Sequence, residues 1–517
     1  MENLNSDSPR NPDLAVLLTL LVLIAVIVGA ILRLIYFDQI EFGMDGVTAI
    51  LTTRFWLTHG VPLYGQMSGA NVMMPPGFIF ILYPLVRVTS APLLICLYIT
   101  AFNIAAIPLI FRLGVEIGRP RAGLWASAFM AVHPWLIVYS RMIWPQCMLI
   151  FFIILLMIVL AHCTRHPESR IVFWCGPLVS LIWQIHYSAY CILVFFLIWF
   201  AISAYKRKIR WLWALGGFLA GFMLFFPHLY FLIHSNFQSI RQAFGGGVGE
   251  QVPLIRNALT LITIFGEISF AGGLGFFFQG SQFVTKSLAG TPLGAAHPWL
   301  APLALAGTLI FILLVIAGFF ARREKDASFI PWIRLLAILP LFLYLLKGVK
   351  TPPWYFLVSL PAVLILAGLG MDYAAGMIKK KLKGPASAYI PILLGIFICI
   401  SGGITWITFL SYIRDSGGTG GMYGLTYRAQ LTAAERLVEE GIRLDRIDAD
   451  LTRAKGFGIF YLYDYLDQRR PPGRSYSEKK VRIINTYLFP GEGCPVTERS
   501  IELSPPAPLR ICILPDY

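Results

Sequence analysis

Apolar stretches of about 20 residues recur along this chain from Leu14 to Tyr412, and that is the length needed to cross roughly 30 Å of hydrocarbon. The composition agrees. Mean hydropathy is +0.70 and 13% of residues are charged, against roughly a quarter in an average soluble protein. The chain therefore reads as an all-α polytopic membrane protein. Its first apolar stretch, Leu14 to Tyr36, is too long for a signal-peptide core, and no small-residue cleavage site follows it. It reads as an uncleaved first span.

Eleven spans are expected, near 14–36, 91–113, 122–140, 145–163, 171–186, 188–205, 211–233, 299–320, 331–347, 353–375 and 387–412. Basic residues fall on every second connection: Arg119 and Arg121, Arg165 and Arg170, Lys206 to Arg210, Arg322 to Lys325, Lys379 to Lys383. Loops rich in Lys and Arg stay in the cytoplasm, so the N-terminus is placed inside and the C-terminus outside an inner (cytoplasmic) membrane. The loops 37–90 and 234–298 then share the outer face with the tail. The stretch 257–278 is nearly long enough to span, but Glu267 and four glycines make it re-entrant or interfacial.

Two domains follow from this reading, a transmembrane domain over 1–412 and a soluble extracytoplasmic α/β domain over 413–517. In the tail, "TAAERLVEEG" opens with Thr432 and Glu435 at capping-box spacing and ends at Gly441, which predicts a short helix. "GIFYLYDYLDQRR" reads as a second helix, and "KVRIINTYLF" and "LRICIL" as strands. Cys494 and Cys512 are free to pair if the tail lies outside. The net charge of +15 does not point to nucleic acid. From residue 413 onward there are 15 Lys/Arg against 14 Asp/Glu, so the excess belongs to the membrane part, as topology signals and lipid contacts require.

Acids are scarce, 27 in 517 residues, and those assigned to the outer face of the membrane part are Asp38, Glu41, Asp45, Glu250 and Glu267. Asp45 stands before Val47, Ile50, Leu51 and Phe55, which recur at helical spacing opposite Thr48, Thr52 and Arg54. A helix lying in the interface plane is expected there. The plain reading of Asp45 is an N-cap, because Asp satisfies free N–H groups at helix starts. The functional reading is an acid held at the bilayer surface.

The same loop continues through "HGVPLYG" to Pro75-Pro76. Together with "EIGRPRAGLWASAFMAVHPWLIVYSRMIW", "WQIHYSAY" and "KTPPWYFLVSLPAVLILAGLG", taken in order over about the first 410 residues, it resembles the GT-C membrane glycosyltransferases of the protein mannosyltransferase and aminoarabinose transferase type. Where relatives carry a second acid this chain has Gly46, and an acid on the second outer loop is replaced around Pro145 and Gln146. The resemblance implies an inverting transfer of a sugar from a polyprenyl-phosphate donor to an acceptor hydroxyl on a lipid, glycan or protein, with Asp45 as general base.

Such a transfer needs a base for the acceptor proton and cations for the departing phosphate. Arg141 and Lys350 sit in family-like positions, and Arg256 is a third candidate; Arg holds phosphate with a planar fork of donors. The competing reading of each is a charge snorkelling to headgroups. His186 is expected to orient sugar or phosphate, or to hold a divalent metal as in some relatives, the one cofactor the resemblance allows. A packing histidine with one hydrogen bond is its plain reading. Trp354 and Tyr355 are placed to stack on sugar or prenyl, unless they are an interfacial belt. The glycines at 245–247 and 249 give the second long outer loop freedom to close over a lipid. Two rival functions stay open: a transporter or flippase of lipid-linked saccharides, and a non-catalytic subunit of envelope polysaccharide assembly.

Overall fold

The computed structural model describes residues 12–68, 72–206, 208–244, 253–279, 287–321, 329–347, 351–382, 386–419, 421–443, 447–448, 457–468, 481–485, 499–502 and 509–513. Its helices run in the order α1 (Pro12–Leu34), α2 (Met44–His59), α3 (Gly77–Val86), α4 (Pro92–Glu116), α5 (Pro120–Val132), α6 (Pro134–Ser140), α7 (Gln146–Arg165), α8 (Cys175–Ile185), α9 (Tyr190–Tyr205) and α10 (Trp211–His234). There follow α11 (Gln238–Phe244), α12 (Leu254–Ile268), α13 (Pro292–Ala296), α14 (Leu300–Phe320), α15 (Ile330–Lys347), α16 (Leu360–Lys381), α17 (Ala386–Ser416), α18 (Tyr427–Glu439) and α19 (Phe457–Asp467).

The protein is an integral multi-pass membrane protein. Among the described residues eight helices are long and apolar enough to cross a membrane, or ten if each of two bent pairs counts as one span. The expected count of eleven is higher. The stretches expected at 171–186 and 331–347 form shorter apolar helices, Arg170–Ile185 and Ile330–Leu346. The stretch expected at 122–140 is broken by 61° between α5 and α6. That break occurs at His133-Pro134, because proline removes a helix donor and disfavours α geometry in the residue before it. Carbonyls freed there are taken up by a buried cation: the Arg33 guanidinium donates to the Ala131 carbonyl at 2.9 Å and the Met130 carbonyl at 3.1 Å. His133 Nε2 lies 2.8 Å from the Ser269 carbonyl just past α12. The stretch 257–278 also folds back, with α12 and the turn Gly272–Phe278 meeting at 103°. At 15 residues, α12 is about 22 Å long, short of a hydrocarbon core.

Among the eight long apolar helices α7 and α16 are the most buried, with α1 and α10 the least. Every residue from Leu360 to Met371 is buried. Helix α14 can approach α16 closely because the facing positions are glycine: a Cβ on Gly370 would stand 1.9 Å from the Leu314 carbonyl oxygen. Such small-residue contacts are how helices pack where lipid offers no hydrophobic driving force.

In the tail α18 starts earlier than the capping-box spacing suggested. Its cap is Thr426, whose hydroxyl accepts from the Ala429 N–H at 3.2 Å, so Thr432 and Glu435 lie inside the helix. Gly441 ends the segment at φ +69°, a conformation that glycine adopts without penalty. Strand β1 (Ile447–Asp448) pairs parallel with β2 (Val481–Asn485), which pairs antiparallel with β4 (Leu509–Ile513); β4 in turn pairs with β3 (Arg499–Glu502). The order is β1-β2-β4-β3. Cys512 is in β4, while Cys494 lies outside the described residues.

Candidate active site

Asp45 is the second residue of α2. The N-cap is Gly43, with no side-chain capping bond, so the cap role that the sequence allowed for Asp45 is not the one it has. Its Oδ1 instead lies 3.4 Å from the Nε2 of Gln66, 21 residues on. Burial pushes the Asp45 carboxyl up to about 6, and the Gln66 hydrogen bond works against that rise, since a donor favours the charged form. Val47 and Ile50 of α2 are buried against protein, whereas Leu51 and Phe55 remain exposed, as a helix lying in an interface requires.

The surroundings of Asp45 form a closed circuit of contacts. Gln66 is held by a short antiparallel ladder in which the Gly65 N–H donates to the Met74 carbonyl at 2.7 Å and the Met74 N–H to the Gln66 carbonyl at 3.0 Å. Pro75-Pro76 then leads into α3, whose first residue must be small: a Cβ on Gly77 would stand 2.6 Å from the backbone of Gln184. Two residues later is His186. The Ser188 backbone N–H, which can only donate, reaches its Nδ1 at 3.1 Å. On the other side of the ring, Nε2 lies 2.9 Å from the side-chain amide of Gln146. Gln146 opens α7, and the loop before it returns to α2, where a Cβ on Gly46 would meet Ile143 at 3.4 Å and the Phe42 ring at 3.3 Å.

Aromatic side chains wall this circuit. Trp144 packs edge-on against Trp354 with ring centres 5.7 Å apart, and His186 packs similarly on Tyr355 at 5.5 Å. The buried Tyr344 hydroxyl is within reach of the carbonyls of Ser188 (2.9 Å) and Tyr355 (3.1 Å), which ties the histidine turn to the aromatic turn. Burial raises the Tyr355 phenol to about 12, so it stays protonated. Three buried polar atoms of the circuit, Gln66 Oε1, Trp144 Nε1 and the far heteroatom of the Gln146 amide, have no hydrogen-bond partner among the described residues. Buried polar atoms of this kind call for an explanation, and a polar ligand supplies one.

His186, Trp354 and Tyr355 are thus brought together by direct ring contacts, while Asp45 is linked to them only through Gln66 and the chain leading into α3; of the cations, Arg141 is engaged elsewhere. Arg141 is fully buried. Its guanidinium donates to the Arg33, Ile35 and Tyr36 carbonyls at 2.8, 2.7 and 2.5 Å and lies over the Phe37 and Trp406 rings. It caps the C-terminal end of α1, where carbonyls lack helical partners. Arg256 is exposed in the first turn of α12. Lys350 lies outside the described residues, as do the glycines 245–247 and 249.

Sequence reasoning missed Gln66, whose only signal was its place between "LYG" and the proline pair. It also missed the seat of the tail. The Tyr427 N–H donates to the Ile40 carbonyl at 2.8 Å, Tyr423 Oη to the Gln39 carbonyl at 2.6 Å and Gln430 Nε2 to the Phe42 carbonyl at 2.6 Å. Phe42, fully buried, meets the Tyr427 and Tyr461 rings edge-on. Glu41 bridges to Met142 on one side and Thr426 on the other. The four residues Gln39, Ile40, Glu41 and Phe42 that lead into α2 are held by the tail, and Glu41 also by the second outer loop.

These features define a polytopic membrane protein with a walled acidic site, and its fold is shared with a solved membrane enzyme. The chain superposes on the apo crystal structure of ArnT from Cupriavidus metallidurans with a TM-score of 0.53 and 12% identity, over 97% of this chain and 98% of that one. It also matches ArnT of the same organism bound to undecaprenyl phosphate (TM-score 0.48, 12% identity, 97% and 98% covered). A third match is the oligosaccharyltransferase AglB from Archaeoglobus fulgidus (0.49, 13%, 89% and 61%). The fold assignment rests on the first. No family model and no curated protein matches the sequence.

Proposed function

We propose that the protein is a membrane glycosyltransferase that moves a sugar from a polyprenyl-phosphate donor to an acceptor hydroxyl on the extracytoplasmic face of the inner membrane, with the N-terminus in the cytoplasm. The observation that carries this reading is the position of Asp45: a half-buried carboxyl tuned to about 6, within a circuit that includes three unpartnered buried polar atoms. A base works best with a pKa near the working pH. Asp45 takes the acceptor O–H proton as that oxygen attacks the anomeric carbon; the bond from that carbon to the phosphate oxygen breaks, and the electron pair leaves with the phosphate. Attack opposite the leaving group inverts the sugar carbon. Trp144, Trp354 and Tyr355 offer the flat faces on which a sugar ring stacks, and Gln66 and Gln146 offer amide groups to its hydroxyls.

Lys350 and Arg256 are the cations assigned to the departing phosphate. Arg141 acts behind them, by fixing the end of α1 and so the loop that carries Asp45. The tail is assigned to the outer face, since it seats on that loop. The test is transfer of radiolabelled sugar from a polyprenyl-phosphate donor by purified protein, compared with its Asp45→Asn variant. Full transfer by the variant removes Asp45 as base, and translocation of a lipid-linked saccharide across vesicles without transfer favours a flippase instead.

A further inference from the structure

The far end of the bundle carries a second cluster, formed where α4 and α7 finish. Helix α7 begins at Gln146 beside His186 and runs 20 residues, so its last turn starts about 24 Å from that end. There His162, in the last turn, and His166, the C-cap just past it, stand with ring centres 4.7 Å apart. Opposite them is Glu116, the final residue of α4, only 5% exposed. Its Oε1 lies 3.0 Å from His162 Nδ1, and its Oε2 pairs with Arg112 at 2.7 Å. Arg165 donates to the Glu116 main-chain carbonyl. One ligand atom from each of Glu116, His162 and His166 can be chosen so that all lie within 4.8 Å of one another.

We infer that Glu116, His162 and His166 form a binding site for a divalent first-row transition ion, zinc above all, on the face opposite Asp45. The histidine–carboxylate contact accounts for two of the three residues, but not for the second histidine one turn on. Two imidazoles and one carboxylate suit zinc, cobalt, nickel or copper, whereas magnesium and calcium favour all-oxygen sets. Zinc with three protein ligands takes water in the fourth position. On binding, the proton shared between His162 Nδ1 and Glu116 Oε1 is released to solvent, and both atoms turn to the metal. Arg112, holding the other carboxylate oxygen, fixes the orientation of the ligand as groups bonded to metal ligands do. Arg112 and Arg165 also bring positive charge to the cluster, which lowers affinity without removing a ligand. The ion joins the ends of α4 and α7, two helices whose other end is tied by Asn103 Nδ2 donating to the Cys147 carbonyl at 3.1 Å.

The experiment uses full-length protein in detergent, stripped with a chelator and titrated with Zn2+ by calorimetry, with Co2+ as a spectroscopic probe of ligand number. The expected result is one zinc per chain whose affinity falls at least about a hundredfold in His166→Ala and in His162→Ala, beyond the 10–100-fold cost of losing a group that merely orients a ligand. His166 is exposed, so its removal leaves the fold intact. Zinc should also raise the Tm of the wild type and not that of His166→Ala. Wild-type affinity in both histidine variants overturns the proposal. So does a bound zinc that is lost in His186→Ala and retained in His166→Ala, which would place the ion at the opposite face.

Discussion

Gln66 and Asp45 stand 3.4 Å apart, amide to carboxylate, and this contact opposes the rise in proton affinity that burial gives the carboxyl. The carboxyl is lifted to about 6 by burial and restrained by the amide. Activity should therefore fall along a single-proton limb as pH drops through about 6, because the base must be deprotonated. Gln66→Met removes the restraining donor and should move that limb to higher pH, by about half a unit to one unit, the scale of a long hydrogen bond to a charged group. A pH–rate profile of the variant with the limb unmoved would separate Gln66 from the proton affinity of Asp45.

Asp45→Asn should cost between about a hundredfold and ten-thousandfold in rate, the range typical of a general base. Its effect on stability runs the other way. The folded-state value lies above that of an unfolded aspartate, so the native protein binds more protons between about 4 and 6 and loses stability as pH rises through that window. Above it the charged carboxylate is a burden, and the Asn variant should melt at the same temperature as the wild type or higher. Thermal unfolding in detergent at neutral pH checks this; a marked drop would mean that the carboxylate has a structural role.

Removing the Arg141 side chain should destabilise the protein strongly. Three carbonyls at the end of α1 lose their donor, and each buried group left unpaired costs about 1–3 kcal/mol. Arg141→Met should therefore lower the Tm by many degrees and should not rescue on addition of donor. A variant of wild-type stability with weakened donor binding would instead put Arg141 on the phosphate.

Phe42→Ala should act at a distance on the reaction. The ring is fully buried between the tail and the first loop, and emptying such a position costs about 3–5 kcal/mol. Because Phe42 is three residues from Asp45 and its ring borders Gly46, loosening it should lower transfer while donor binding persists. Protease sensitivity of the tail, rising in the same variant, is the accompanying measurement.

Gly46 has little room for a side chain. A side chain there would press on Phe42 and Ile143, so Gly46→Asp should lower stability by about 1–3 kcal/mol, the usual cost of overpacking, and should not raise activity. A gain in transfer would show that the site has room for the acid.

Much of this protein was legible in its residues taken in order. Apolar runs of span length dictate helices in lipid, because the backbone has no other partner there. The helical rhythm after Asp45 marks α2, and residue type and order single out Asp45, His186, Trp354 and Tyr355 as candidates, whereas α3 falls in a stretch that reads only as outer loop. Tertiary structure decided what sequence spacing has no means to express. Whether Asp45 caps its helix or meets Gln66 depends on a ladder 21 residues away. Whether Arg141 meets a phosphate or the carbonyls of α1 depends on a helix more than a hundred residues earlier. The tail's grip on Phe42 joins positions almost 390 apart in the chain. Local pattern fixes hydrogen bonds that close within a turn of helix, whereas the partner of a buried polar side chain is chosen by which distant segment packing brings within reach.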